Sequence, residues 1–370
     1  MSTTSPTRRH LLPYTLQMER RLATPRGLGL ATTIGAFAVA LLISAVIIGL
    51  IGGNPLDAYA HIVRASLGSV GVLSDTLVKA TPLIFTGLAC SIAFRMRLWN
   101  IGAEGQLMMG AWGASAIVLS GWLPEGTPSF VYLPLMMLAG IGLGAAWAGL
   151  AGWLRARLNV NEIITTLMLV YISIEWVKFW VFGPWSDGGF QMSPRFPREA
   201  WLPRLTDHSD MVEDFAGLTV HLGFALAVVA ALLLWAFLNR TRKGYEIRLI
   251  GDNPRAAKYA GINIGGTIIL VMLISGGLAG LAGASEVSGV VHRLQDNFSP
   301  GYGFTGIIVA FLARFNPIGV IFAAIAFGAL ILAGREIQPA GIPAMIQGVV
   351  LFCVITSDVF LRYRVRVVRR

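Results

Sequence analysis

The chain has 370 residues, 55% of them hydrophobic and only 13% charged, and it carries a net charge of +10. Soluble domains are about 25% charged, so this composition excludes a soluble enzyme and points to a multi-pass membrane protein. The basic excess does not gather on one face, as a nucleic-acid surface requires. It falls on alternate loops, with the acidic residues mostly on the others, which is the positive-inside pattern and leaves no nucleic acid as partner.

In chain order, residues 1–27 are basic and expected in the cytoplasm. Leucines alternate with charged residues over 10–22, which allows an interfacial helix on membrane lipid or a disordered tail. The first apolar run starts at Leu28, has no small-residue cleavage site, and reads as a span rather than a signal sequence. Ten runs are spans across a hydrocarbon core of about 30 Å. They cover 28–51, 76–95, 101–120, 131–153, 162–183, 217–238, 267–285, 302–315, 317–334 and 343–360. The expected organisation is an all-α transmembrane unit over 28–360, with an external loop at 184–216 and a basic cytoplasmic loop at 239–265. A basic tail, 361–370, puts both termini inside.

The stretch Trp99–Gln106 interrupts the apolar runs with Asn100, Glu104 and Gln106. Polar groups in such a setting are costly unless paired or hydrated, so they are either a cap, a packing joint, or part of a substrate path. Asn100 suits a cap, and Glu104 falls in a first helical turn, where the dipole favours an anion. Gly140-xxx-Gly144 and Ala145-xxx-Gly149 in the fourth span predict close helix packing. The fifth span opens on Glu162, with Thr165 and Thr166 behind it and a Glu175–Lys178 pair spaced to meet near its far end.

The 184–216 loop, with its prolines and Trp185, Phe196 and Trp201, is either a docking lobe or a passive loop with interfacial aromatics. In the basic loop, Asp252-Asn253-Pro254 is a helix start and Gly261 a stop. Between them Arg255, Ala256, Ala257, Lys258, Tyr259 and Ala260 form a short amphipathic helix, lying on lipid or serving as a knob for a cytoplasmic partner. The eighth span is too short to cross squarely, which predicts a broken or re-entrant helix. Breaks near 96–100 and 314–317 are compatible with two five-span halves of inverted topology.

No Walker A, HExxH or GxSxG pattern occurs, so no catalytic residue is assigned. Cys90 and Cys353 lie in apolar spans, too few for a metal site or disulfide framework. Carboxylates within the spans are sparse, which weighs against an ion-coupled secondary carrier, the alternative of a different class.

Four segments carry a resemblance: Leu98–Gln106, Val160–Leu169, Ile250–Ile262, and Gly303–Leu312 with Asn316–Gly319. They resemble the permease subunits of bacterial ABC importers, in particular the nucleoside and simple-sugar permeases served by lipoprotein or periplasmic binding proteins. The resemblance implies a ten-helix, type II-like permease in the inner (plasma) membrane. It implies an ABC ATPase on separate chains that holds the ATP and Mg, so that no cofactor resides on this chain. It also implies a substrate-binding protein and a second permease, a different chain, giving a heterodimer. In that setting 252–261 looks like the coupling helix. The expected solute is a nucleoside, with a simple sugar as the alternative. Asn100, Glu104, Gln106, Thr165, Thr166 and Phe304 are the path candidates, since amides, hydroxyls and an aromatic face serve a nucleoside. Relatives often carry Asn where this chain has Val170, which bears on substrate range.

Overall fold

The computed structural model describes residues 14–20, 27–124, 126–210, 212–334 and 341–369. Most of the expected N-terminal segment, 1–13 and 21–26, lies outside the described residues.

The bundle is built from α1 (Leu28–Leu50), α3 (Val70–Arg95), α4 (Ala103–Leu119), α5 (Ser129–Leu158), α6 (Glu162–Phe182), α7 (Leu222–Arg240), α10 (Ile264–Glu286), α11 (Tyr302–Leu312), α12 (Pro317–Ala333) and α13 (Ile342–Arg362). Three further helices lie between these: α2 (Pro55–Leu67), α8 (Arg242–Asp252) and α9 (Pro254–Tyr259). Among the described residues, six helices are long and apolar enough to cross a membrane, and α10 is extended further by a π turn at Val287–Val291. α11 and α12 are apolar but shorter.

Local chemistry sets the boundaries. Asn-Pro pairs open three helices: Asn54, Asn253 and Asn316 each accept backbone N–H bonds through the side chain, and Pro55, Pro254 and Pro317 supply a preset φ. The expected loop at 52–75 is therefore largely helical.

α3 is the hub, buried along almost its whole length by α7, α10, α11 and α12. α5 and α10 meet along a glycine seam. A Cβ added at Gly280 would collide with the Gly140 carbonyl, and one at Gly276 with that of Gly144. The small-residue spacing in α5 thus does what it predicts, letting two backbones touch.

Within 10–22, the described residues 14–20 differ from both sequence expectations. Tyr14–Arg20 is a strand, β1, paired antiparallel with β2 (Tyr363–Arg369) from Tyr14↔Arg369 to Arg20↔Tyr363. Alternation of apolar and charged residues is a period of two, which suits a strand, and the tail supplies the hydrogen-bonding partner.

Candidate translocation site

After α3 ends at Arg95, the chain folds back into the bundle without helical structure. Asn100 Nδ2 donates to Ser275 Oγ of α10 (2.9 Å), and Ser275 Oγ donates to the Ala89 carbonyl of α3 (2.6 Å). Ala89 is six residues before the end of α3, about 9 Å along its axis. α4 therefore starts inside the bundle. Non-helical backbone at such depth persists only where protein satisfies it. Asn100 does so: its Oδ1 accepts from Gly102 N (3.0 Å) and from Gln106 Nε2 (2.9 Å), while its Nδ2 also donates to Gln106 Oε1 (2.9 Å).

α11 starts inside the bundle from the other direction. It runs parallel to α3, with Thr86 Oγ1 donating to the Tyr302 carbonyl (3.1 Å) at its start and Phe311 against Phe94 at its end. With 11 residues it is about 16 Å long, half a hydrocarbon core. α4 is parallel to α10 and antiparallel to α3, so α4 and α11 point oppositely and meet at their N-termini. Glu104 closes the joint. Its Oε2 accepts from Gly303 N (2.6 Å), and Ser299 also hydrogen-bonds the carboxylate. A buried carboxyl group between two helix N-termini meets backbone N–H groups that have no partner within their own helices. A Cβ at Gly303 would collide with the Glu104 backbone, so glycine is required for this approach. The break that matches 96–102 is thus the segment 292–301. The expected break at 314–317 is only the turn between α11 and α12.

The six path candidates separate. Asn100, Glu104, Gln106 and Thr166 are buried in one polar knot, where Thr166 Oγ1 accepts from Ile101 N (3.3 Å). Thr165 is half-buried, and its Oγ1 donates to the Asn161 carbonyl (2.9 Å). Phe304 stands apart on α11, 41% exposed. Glu162 pairs with Arg155 (3.2 Å), and Glu175 with Lys178 (2.9 Å). Val170 is buried beside Gly105.

None of the six lines either of the two larger cavities. The first, of about 810 Å³, lies at the end carrying α8 and α9. Phe94, Trp99, Phe311 and Phe315 wall it, with Trp99 and Phe311 nearly parallel at 20°. Arg97, Arg314 and Phe315 on its rim have φ of 60°, 51° and 58°, a strained setting for side chains of this size. The second, of about 460 Å³, lies at the opposite end and is lined by Lys79, Glu286 and Tyr302. The sequence survey weighed carboxylates and passed over Lys79, although a lone cation ten residues into α3 was a readable signal.

At that second end the 184–216 loop is an ordered lobe. Trp201 stacks on His292 (3.7 Å, 10°), while Arg195 and Arg198 each cover Trp201 at 4.7 Å. Arg204 donates to the Gly289 carbonyl (2.8 Å) and to His292 Nε2 (2.7 Å). Burial first, and then the Arg204 guanidinium, push the His292 imidazole down to about 4. It is therefore neutral and can accept this bond.

At the opposite end, α8 leads into α9. Asp252 closes α8, and Asn253 Oδ1 accepts from Arg255 N and Ala256 N (both 3.1 Å) ahead of Pro254. Ala257 is buried, Tyr259 is 94% exposed, and Gly261 has φ +74°.

Interrupted helices meeting inside a bundle are a feature of membrane transporters, and comparison with known proteins gives the class and the family. Residues 72–355 match the model for the permease component of branched-chain amino acid transport systems, and the chain belongs to that family of ABC permeases. It is 36% identical to a glucose ABC transporter permease of Haloferax volcanii, over 95% of this chain and 93% of that one. It is 33% identical to a guanosine ABC transporter permease of Bacillus subtilis, over 86% of this chain and 90% of that one. A nucleoside ABC transporter permease of Lactococcus lactis is 32% identical over 86% of this chain and 88% of its own. The chain is thus a multi-pass permease of the sugar and nucleoside import family, and the ion-coupled carrier reading falls away.

Proposed function

We propose that the chain forms the translocation path of an ATP-driven importer for nucleosides. The observation that carries this reading is the aromatic wall of the α8–α9 cavity, which offers near-parallel Trp99 and Phe311 faces to a planar base. The guanosine and nucleoside permeases among the relatives support it. Ten spans with both termini in the cytoplasm put the lobe outside, where a binding protein docks, and α9 inside. ATP and Mg belong to a partner ATPase on separate chains, and a second, different permease completes the path.

α9 is the coupling helix in this reading: the cap at Asn253 and the stop at Gly261 hold a rigid six-residue knob, and Tyr259 is its exposed contact. Asn100, Gln106 and Thr166 brace the joint, while Glu104 links the two short helices along the path. Thr165 and Phe304 face outward, where the second permease packs. A specific observation favours a second reading, glucose import: the 36% identity to the Haloferax volcanii permease.

The test is uptake by the complete transporter in proteoliposomes with labelled uridine, guanosine and glucose. Nucleoside uptake that needs ATP supports the proposal, and uptake of glucose alone replaces it with the second reading. Tyr259→Asp is expected to leave the complex folded and abolish solute-stimulated ATP hydrolysis. Unchanged stimulation would remove α9 from the coupling role.

A further inference from the structure

The second cavity holds a cluster that the joint between α4 and α11 does not use. Lys79 of α3 is 8% exposed, Glu286 at the end of α10 is 2% exposed, and Tyr302 at the start of α11 is fully buried. Lys79 Nζ lies 3.6 Å from Glu286 Oε1 and donates to the Tyr302 hydroxyl (3.2 Å). That hydroxyl donates to Glu286 Oε1 (3.4 Å). Three different helices thus deliver an ammonium, a carboxylate and a phenol to one point. A buried ion pair gives no stability that well-packed apolar residues could not, so a purely structural role is a poor account of it. Ionisable groups within a bundle of spans mark solute pathways by default.

The cluster also faces open space. All three residues line the 460 Å³ cavity, and Gln295, Asn297 and Gln347 add carboxamides to the same wall. The volume falls within the range of small-ligand sites. A carboxylate accepts, an ammonium donates, and a phenol and carboxamides do both. Vicinal hydroxyls, each a donor and an acceptor, satisfy such a set. An anion would meet Glu286, and an apolar side chain would leave the polar wall unpaired. Glucose and guanosine, the solutes named for the two relatives described first above, share a hydroxylated ring and nothing else of this size.

We propose that Lys79, Glu286 and Tyr302 form a sugar-ring subsite at the lobe end of the path, one that takes the vicinal hydroxyls of a ribosyl or hexose solute. This rests on the importer reading, and not on which of the two solutes is carried.

The test is saturation-transfer NMR on the purified permease–ATPase complex without binding protein, with uridine, 2′,3′-dideoxyuridine, glucose and leucine as probes. Ring protons of uridine or glucose are expected to receive saturation, and those of dideoxyuridine and leucine are not. Glu286→Gln removes charge-assisted acceptance and takes the counter-charge from Lys79, and in the fraction that stays folded it is expected to weaken apparent affinity about tenfold. Gln295→Leu leaves the ion pair intact and is expected to reduce the same signal, which separates solute contact from a folding defect. Equal signals from uridine and dideoxyuridine, saturation of leucine, or no change in either folded variant would overturn the subsite. Glucose binding that depends on Glu286, together with no nucleoside uptake, would keep the subsite and sink only the nucleoside proposal.

Discussion

Tyr302 and Gly303 are neighbours on α11, yet they serve two different buried polar clusters. Through Gly303 N, α11 joins Glu104, two residues before the Gln106 that pairs with Asn100; through its phenol, Tyr302 joins Lys79 and Glu286. Asn100 and Gln106 are closed on each other, with a backbone N–H and Ser275 taking the remaining contacts. Lys79 and Glu286 turn toward a cavity. Depth and polarity alone therefore do not mark a site. In the first cluster the polar groups repair the backbone where a helix is interrupted; in the second, beside Pro82 and the π turn at Val287–Val291, Lys79, Glu286 and Tyr302 bond one another through their side chains.

The largest expected effect breaks the joint itself. Gly303→Val forces a side chain into the Glu104 backbone, at a cost on the order of 5 kcal/mol, the far end of single-substitution effects. Loss of a monodisperse peak in detergent is the expected readout. Lys79→Met takes the ammonium away from the Glu286 carboxylate, which keeps the Tyr302 hydroxyl, and costs about 3 kcal/mol in thermal stability. Adding Glu286→Leu is expected to restore most of that loss while solute binding stays absent, because the pair is not there for stability.

Asn100→Ala leaves the Gln106 amide and Gly102 N without their partner and costs about 1–3 kcal/mol. Asn100→Ala with Gln106→Leu should cost less than the sum of the two singles, since the residues share their bonds. Solute affinity in the folded fraction should be unchanged. If it falls with Asn100→Ala and survives Lys79→Met/Glu286→Leu, the two clusters have been assigned the wrong way round.

Legibility in the sequence follows the range of the interaction. The α5 seam could be read because both glycines lie on one helix at a spacing of four. The Asn253-Pro254 start and the Glu175–Lys178 pair are equally local. The eighth span was visibly too short because length is a one-dimensional property. The partner of the 96–102 break could not be read. Asn316-Pro317 and Pro300-Gly301 are both strong punctuation, and only the fold brings Gly303 to Glu104. Tyr14–Arg20 likewise needs a partner strand at the other terminus before its alternation means a sheet. Lys79 was legible as an anomaly, but its role depends on a carboxylate and a phenol from two distant helices.

The smallest effect concerns the lobe that covers the second end. His292 stays neutral because burial and Arg204, with Arg195 and Arg198 beyond it, hold it at about 4 against an ordinary 6.5. The opened state takes up the proton first, so the closed lobe is fully stable above about pH 6.5 and weakens as pH falls toward 4. Hydrogen exchange over 196–204 should speed up on acidification beyond the intrinsic rate change, and His292→Asn should flatten that response.

The bond from Gly303 to Glu104 also has a mechanical meaning. α11 is too short to span alone, and it abuts α4 end to end. While that bond holds, neither can tilt without the other, so together they form a single jointed strut running through the protein from one face to the other. A push on the α8–α9 end of α11 is then delivered to α4 across the middle, with no loop needed to carry it.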